Sequence, residues 1–139
     1  MARESGFTLI ELLVVMLVIG VLAAIALPLF LGHREKGQDA EAKANARHVY
    51  GLVERCLTES SVRDYSLCDS NPELGDNSIT IGNAPGQVSI RKYTDPDNEY
   101  RVKAFSHSGG AFRIIVWDYG TERTCTQPGV GGCRADGTW

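Results

Sequence analysis

The chain has no Cys-x-x-Cys pair, no Gly-x-Ser-x-Gly, no phosphate-binding loop and no His-Glu-x-x-His. Its histidines, His33, His48 and His107, are scattered without a spaced partner set. Nucleophilic, metal-dependent and phosphoryl-transfer enzymes need such groups at fixed spacing, so the sequence reads as a non-enzyme without a cofactor, with each histidine at the surface. Positive charge is not in excess either: 14 Lys and Arg stand against 17 Asp and Glu, for a net charge of −3. Wrapping nucleic acid requires cations gathered on one face, so no nucleic-acid binding is evident.

The 139 residues, 43% of them apolar and 22% charged, are enough for one domain and too apolar for wholesale disorder. Cys56, Cys68, Cys125 and Cys133 follow one another at 12, 57 and 8 residues. An even count without metal-ligand spacing reads as disulfides, and hence an oxidising compartment.

Phe7 to Leu31 reads FTLIELLVVMLVIGVLAAIALPLFL, and from Leu12 onward its last 20 residues carry no charge. As a helix that length crosses roughly 30 Å of hydrocarbon. Glu11 is the exception. A carboxylate at the bilayer centre costs about 2.5–3.5 kcal/mol on insertion scales, and less near an end, so such residues are usually kept for a partner. A plain anchor helix leaves the sequence before Phe7 unexplained. A secretory signal peptide cut at Ala24-Ile25-Ala26, giving a chain that starts at Leu27, fits the small-x-small pattern. It sits badly with Arg3 offset by Glu4 and with an acid inside the apolar run.

The third reading rests on Ser5-Gly6-Phe7-Thr8-Leu9-Ile10-Glu11-Leu12. This segment resembles the processing signal of the type IV prepilin family, Gly-Phe-Thr-Leu-Ile-Glu, a family that includes the pseudopilins of type II secretion. The resemblance implies cleavage between Gly6 and Phe7 by a membrane-embedded prepilin peptidase that also N-methylates Phe7. It implies that Glu11 is the acid paired in assembly with a neighbouring subunit's N-terminal ammonium inside an apolar bundle, which helps to set register. Methylation leaves that positive charge in place. Gly20 and Pro28 match positions between which the family's helix loses regular structure in the filament; independently, Pro removes a helix hydrogen bond and Gly is a weak helix former. Counting cations places the C-terminal side in the cytoplasm, since Arg34, Lys36, Lys43 and Arg47 follow the span and only Arg3 precedes it. The cysteines and the resemblance favour the opposite orientation, with an extracytoplasmic C-terminal domain.

Beyond the span, Ala42, Ala46, Val49, Val53 and Cys56 fall at alternating steps of four and three, one narrow helical stripe facing a core. Span and stripe together make one helix of roughly 50 residues, about 75–80 Å long. After it, alternating segments at Ser78–Gly82, Gln87–Tyr93, Tyr100–Ser106 and Phe112–Tyr119 are joined by short turn-rich links. They predict an antiparallel meander of about four strands whose Val88, Ile90, Val102, Ile114 and Val116 cover the stripe. Phe112–Tyr119 is apolar on both alternations, so it is either central or covered by the tail. A local Cys125–Cys133 bridge would close the Gly-rich tail, as in the Cys-bounded loops that end many pilins. Cys56 with Cys68 is then the other bridge, while Cys68 with Cys125 stays open, since four cysteines allow three pairings. Asp95, Asp97 and Glu99 form an acidic turn and are candidate calcium ligands, although their spacing is not that of an EF-hand.

The expected fold is an α+β pilin fold with a long N-terminal helix on an antiparallel sheet. Its parts are a cleaved leader (1–6), the transmembrane and assembly half of the helix (7–31), its amphipathic half (32–60), a connecting loop (61–77), the sheet (78–119) and the tail (120–139). The expected partners are further pilin subunits, the prepilin peptidase and methyltransferase, an inner-membrane assembly platform, and membrane lipid before assembly. The expected location is the cytoplasmic membrane for the precursor and the cell surface for the filament, or the periplasm for a pseudopilin. A secreted or singly anchored binding domain is the rival from another class.

Overall fold

A computed structural model describes residues 6–61, 64–76, 78–92 and 99–139. Two compact units divide the chain, one ending at Arg34 and the other running Glu35–Trp139. A single helix, α1 (Leu9–Glu59), contributes to both.

In the first unit α1 is apolar all round. Every large apolar side chain named from Phe7 to Leu31 is at least 49% exposed. A surface of this kind is stable only in lipid or against other apolar helices. Pro28 lies inside α1 without ending it, and Gly20 is likewise within the continuous helix.

In the second unit α1 becomes one-sided. Ala42, Ala46, Val49, Val53 and Leu57 are buried against a four-stranded antiparallel sheet ordered β1 (Val88–Lys92), β2 (Tyr100–Phe105), β3 (Ala111–Trp117) and β4 (Gly120–Cys125). Leu57 takes the place expected of Cys56, which is half-buried and turned aside into a disulfide. Ladder register sets Ile90 across from Val102 and Val102 across from Ile114. These residues therefore share the face that meets the helix, with Val88, Tyr100, Ala104 and Phe112. Val116 joins them only half-buried.

The strand assignment differs from expectation at both ends. Ser78–Gly82 is not a strand. Its backbone is held by the Asn71 side chain, which donates to the Ile79 carbonyl at 2.6 Å and accepts from the Ile81 N–H at 3.0 Å, leaving one isolated bridge between Ile81 and Val88. The fourth strand is Gly120–Cys125, which the sequence reading put in the tail. As an edge strand it is polar and mostly exposed, so it carries no apolar alternation. Gly120, at φ 146°, completes the tight β3–β4 turn. β3 is consequently central, paired on both sides; on its second face Ile115 is buried, while Tyr119 beyond the strand is fully exposed.

The disulfides are Cys56–Cys68 and Cys125–Cys133. By the chain-entropy relation, loops of this size give about 3 kcal/mol each. Between them the 64–76 segment folds on local polar bonds. Asp64 caps a 3-10 turn at Tyr65–Cys68 through Ser66, and Ser70 and Glu73 form a capping box on the short helix α2 (Asn71–Leu74).

Candidate assembly segment and C-terminal clamp

The Gly6–Phe7 junction precedes α1, and Phe7 is 86% exposed. The helix begins with a reciprocal cap. Thr8 donates to the Glu11 carboxylate from its backbone N–H at 2.9 Å and from its hydroxyl at 2.7 Å, while the Glu11 N–H donates to the Thr8 hydroxyl at 3.3 Å. This is the Thr-x-x-Glu capping box, and it places the segment's one carboxylate at the positive end of the helix dipole. Glu11 is exposed there among apolar neighbours and has no cation in its own chain among the described residues. The arrangement can accept a positive charge from outside the chain.

In the globular unit the structure assembles a polar clamp that the sequence reading missed. Asp39 sits one turn before Ala42 on the buried stripe and is 3% exposed. Its carboxylate accepts from the Ser108 hydroxyl at 2.5 Å and from the Gly132 N–H at 2.7 Å. One turn on, the Lys43 ammonium donates to the Gly132 carbonyl. Burial lowers the Lys43 pKa, with Asp39 acting in the opposite direction. Two helix side chains thus hold both backbone groups of Gly132 and fasten the Cys125–Cys133 loop to α1. The close approach requires glycine, because a Cβ on Gly131, which is at φ +57°, would stand 2.2 Å from the Asp39 Oδ2.

The chain end is fixed beside this clamp. The Arg47 and Arg123 guanidinium groups both lie over the Trp139 indole, at 5.0 and 5.5 Å from its ring centre. It meets Phe112 edge-on at 5.8 Å and donates its N–H to the Arg113 carbonyl at 3.1 Å. The carboxylate of Asp39, an acid interrupting an apolar stripe, was the sequence signal available for the clamp; nothing local marks Gly132 or Trp139 as its partners.

His48, read as a surface residue, lies 2.7 Å from the Asp76 carboxylate. That contact and the Ser78 backbone N–H hold Asp76 down at about 2, the Ser78 bond being the larger cause. Of the candidate calcium ligands, Asp95 and Asp97 lie outside the described residues and Glu99 alone is described.

The prokaryotic N-terminal methylation motif matches residues 1–27. The type IV major pilin protein PilA of Myxococcus xanthus is 48% identical over 96 residues, which is 67% of this chain and 44% of that protein. A fimbrial protein of Pseudomonas aeruginosa is 28% identical over 120 residues, covering 84% of this chain and 78% of that protein. The type II secretion system core protein G of Aeromonas hydrophila is 42% identical over 56 residues, 36% of this chain and 39% of that protein. The chain thus spans under half the length of the Myxococcus relative. No solved structure matches it. With the methylation motif at its N-terminus, one long apolar helix and an antiparallel sheet closed by a C-terminal disulfide, the chain is similar to the type IV pilins.

Proposed function

We propose that the chain is the precursor of a structural subunit of a type IV pilus-like filament. The observation that carries this reading is the exposed apolar half of α1, with the lone acid Glu11 four residues after Phe7. In this reading a prepilin peptidase cuts between Gly6 and Phe7 and methylates the new amine. The helix waits in the cytoplasmic membrane with the disulfide-bonded unit outside, and an assembly platform then moves it from lipid into a bundle of identical helices. Lipid and bundle are both apolar, so this transfer gains little from hydrophobicity and depends on specific contacts. The Phe7 ammonium of one subunit and the Glu11 carboxylate of the next supply one, since each is expensive to bury without the other. Gly20 and Pro28 mark where the helix can lose regular structure in the filament.

The likeness to the type II secretion core protein G favours one second reading, a pseudopilin that builds a short periplasmic fibre. Both readings share the processing step.

Mass spectrometry of the native N-terminal peptide tests that step. The expected terminus is N-methylated Phe7. A terminus at Leu27, or an uncut Met1, overturns the filament reading. Long sheared surface fibres containing the subunit would then select the pilus over the pseudopilin.

A further inference from the structure

The sheet face turned away from α1 gathers four cations against one carboxylate, Glu122, which register sets across from Ile115. Register sets Arg91 directly across from Arg101, and Lys103 directly across from Arg113. Arg101 and Lys103 are two residues apart on β2, so all four share that outer face. Directly opposed side chains have Cβ atoms about 4.5–5.5 Å apart, and like charges so placed destabilise a sheet. Among the described residues no ion pair joins any of the four to a carboxylate. Among the described residues the Nε–H groups of Arg101 and Arg113 are buried without an acceptor, although a buried donor ordinarily finds one. Lys103 lies over the Phe105 ring at 4.4 Å. Its pKa is lowered, first by burial and then by Arg113 and Arg101. An anionic surface laid on this face would remove the repulsion.

The opposite charge is concentrated elsewhere in the same chain. From Glu59 to Asp76 there are five carboxylates and one arginine, and the Cys56–Cys68 disulfide ties the end of α1 to this segment. Glu59 and Glu73 are exposed and Asp69 is half-buried. Burial and the nearby Glu73 raise the Asp69 pKa, so an arriving cation would favour its charged form. Within its own chain the segment packs toward the helix-facing side, where Tyr65 stacks at 6.4 Å on Tyr100. Arg91 and Asp69 line one groove at the sheet edge, with no ion pair between them.

We propose that the basic outer face of the sheet docks the acidic Glu59–Asp76 segment of a second copy of this chain. The proposal rests on the filament reading above. Two different patches of one chain meet, so the contact is heterologous. Such a contact need not close into a ring and can propagate as a helical fibre. The monomer carries the repulsion until the next copy arrives, which couples electrostatic complementarity to assembly.

The test compares filament recovery from cells that carry the assembly apparatus and express the full chain. Arg101→Glu with Arg113→Glu is expected to lower recovery at least ~10-fold, as is Glu59→Lys with Asp69→Lys, and the chain carrying all four changes is expected to regain most of it. Folding is controlled by the milder pair Arg101→Gln with Arg113→Gln. In detergent it is expected to melt at or above the wild-type temperature while still yielding fewer filaments. The contact is overturned if both charge-reversed pairs assemble at wild-type level, or if the fourfold chain recovers nothing. It is also overturned if the basic-face variant loses only its retention on immobilised heparin, which would make the face a polyanion site. A wild-type chain that forms no filament overturns the filament reading itself, and this contact with it.

Discussion

Replacing Asp39 with alanine removes the acceptor shared by two segments far apart in sequence. The Gly132 N–H then loses its carboxylate acceptor. The Ser108 hydroxyl keeps a second neighbour, the Ser106 hydroxyl at 2.9 Å, so its loss is partial. Hydrogen bonds to a charged group contribute about 1.5–3 kcal/mol each. Removing a buried carboxylate recovers part of its desolvation cost. The net expectation is a destabilisation of about 2–4 kcal/mol, or roughly 10–25 °C in melting temperature for a unit of this size. Asp39→Asn keeps the shape but turns an amide N–H toward one of the two donors, so it should fall between alanine and wild type. Thermal melting of the full chain in detergent reads the global effect. Tryptic cleavage after Arg134, just beyond the Cys125–Cys133 loop, reads the local one and should accelerate in both variants. A cycle with Ser108→Ala should show coupling, because the two side chains share a bond. If Asp39→Ala melts within about 0.5 kcal/mol of wild type and Arg134 is cut no faster, the clamp carries no load and the reasoning is wrong.

Three further outcomes follow from the geometry. Trp139→Phe keeps a ring under Arg47 and Arg123 but loses the indole N–H bond to the Arg113 carbonyl, for about 1 kcal/mol; Trp139→Ala loses the cation contacts and the edge-on packing as well, for about 2–4 kcal/mol. Equal melting temperatures for the two variants would refute this division. Asp76 has its folded pKa lowered to about 2 from 3.8, so the stability it lends is present above the unfolded value and is lost as pH falls from about 4 toward 2. An NMR titration should show its carboxyl shift moving only near the bottom of that range, and His48→Ala should move the midpoint up; a midpoint near 4 in the wild type would contradict the assignment. Glu11→Gln keeps a side chain able to cap the helix start while removing the charge. Membrane insertion should therefore be unchanged and filament recovery lost, and normal filaments would disprove the pairing role.

The sequence was most legible where a residue answers to its immediate neighbours. Leu12–Leu31 is charge-free at a length that a bilayer dictates, and the stripe from Ala42 to Val53 repeats at the helical period, so both halves of α1 could be read from spacing alone. Val88, Ile90, Val102 and Ile114 were legible for the same reason, since alternation sets which side of a strand is covered. β4 was not. Its Gly-Thr-Glu-Arg-Thr-Cys is a polar edge strand, whose pairing with β3 supplies the stability that composition does not advertise. Ser78–Gly82 failed in the opposite direction, because the Asn71 side chain takes the backbone groups that a strand partner would have used.

The clamp and the charged sheet face show a different limit. Asp39 is separated from Ser108 by 69 residues and from Gly132 by 93, so no local window contains the pair that makes the acid affordable to bury. An acid on an apolar stripe announces that a partner exists without naming it, and the same holds for Glu11 on the apolar half of the helix. Within the chain, Asp39 finds its donors in the loop and the sheet. Among the described residues Glu11 finds only the cap of its own helix, and the Arg101 and Arg113 guanidinium groups pair with no carboxylate. Folding one copy therefore satisfies the first of these groups and leaves the others for a neighbour. The filament reading assigns the apolar helix to contacts between subunits, and the docking proposed above adds the basic sheet face to them.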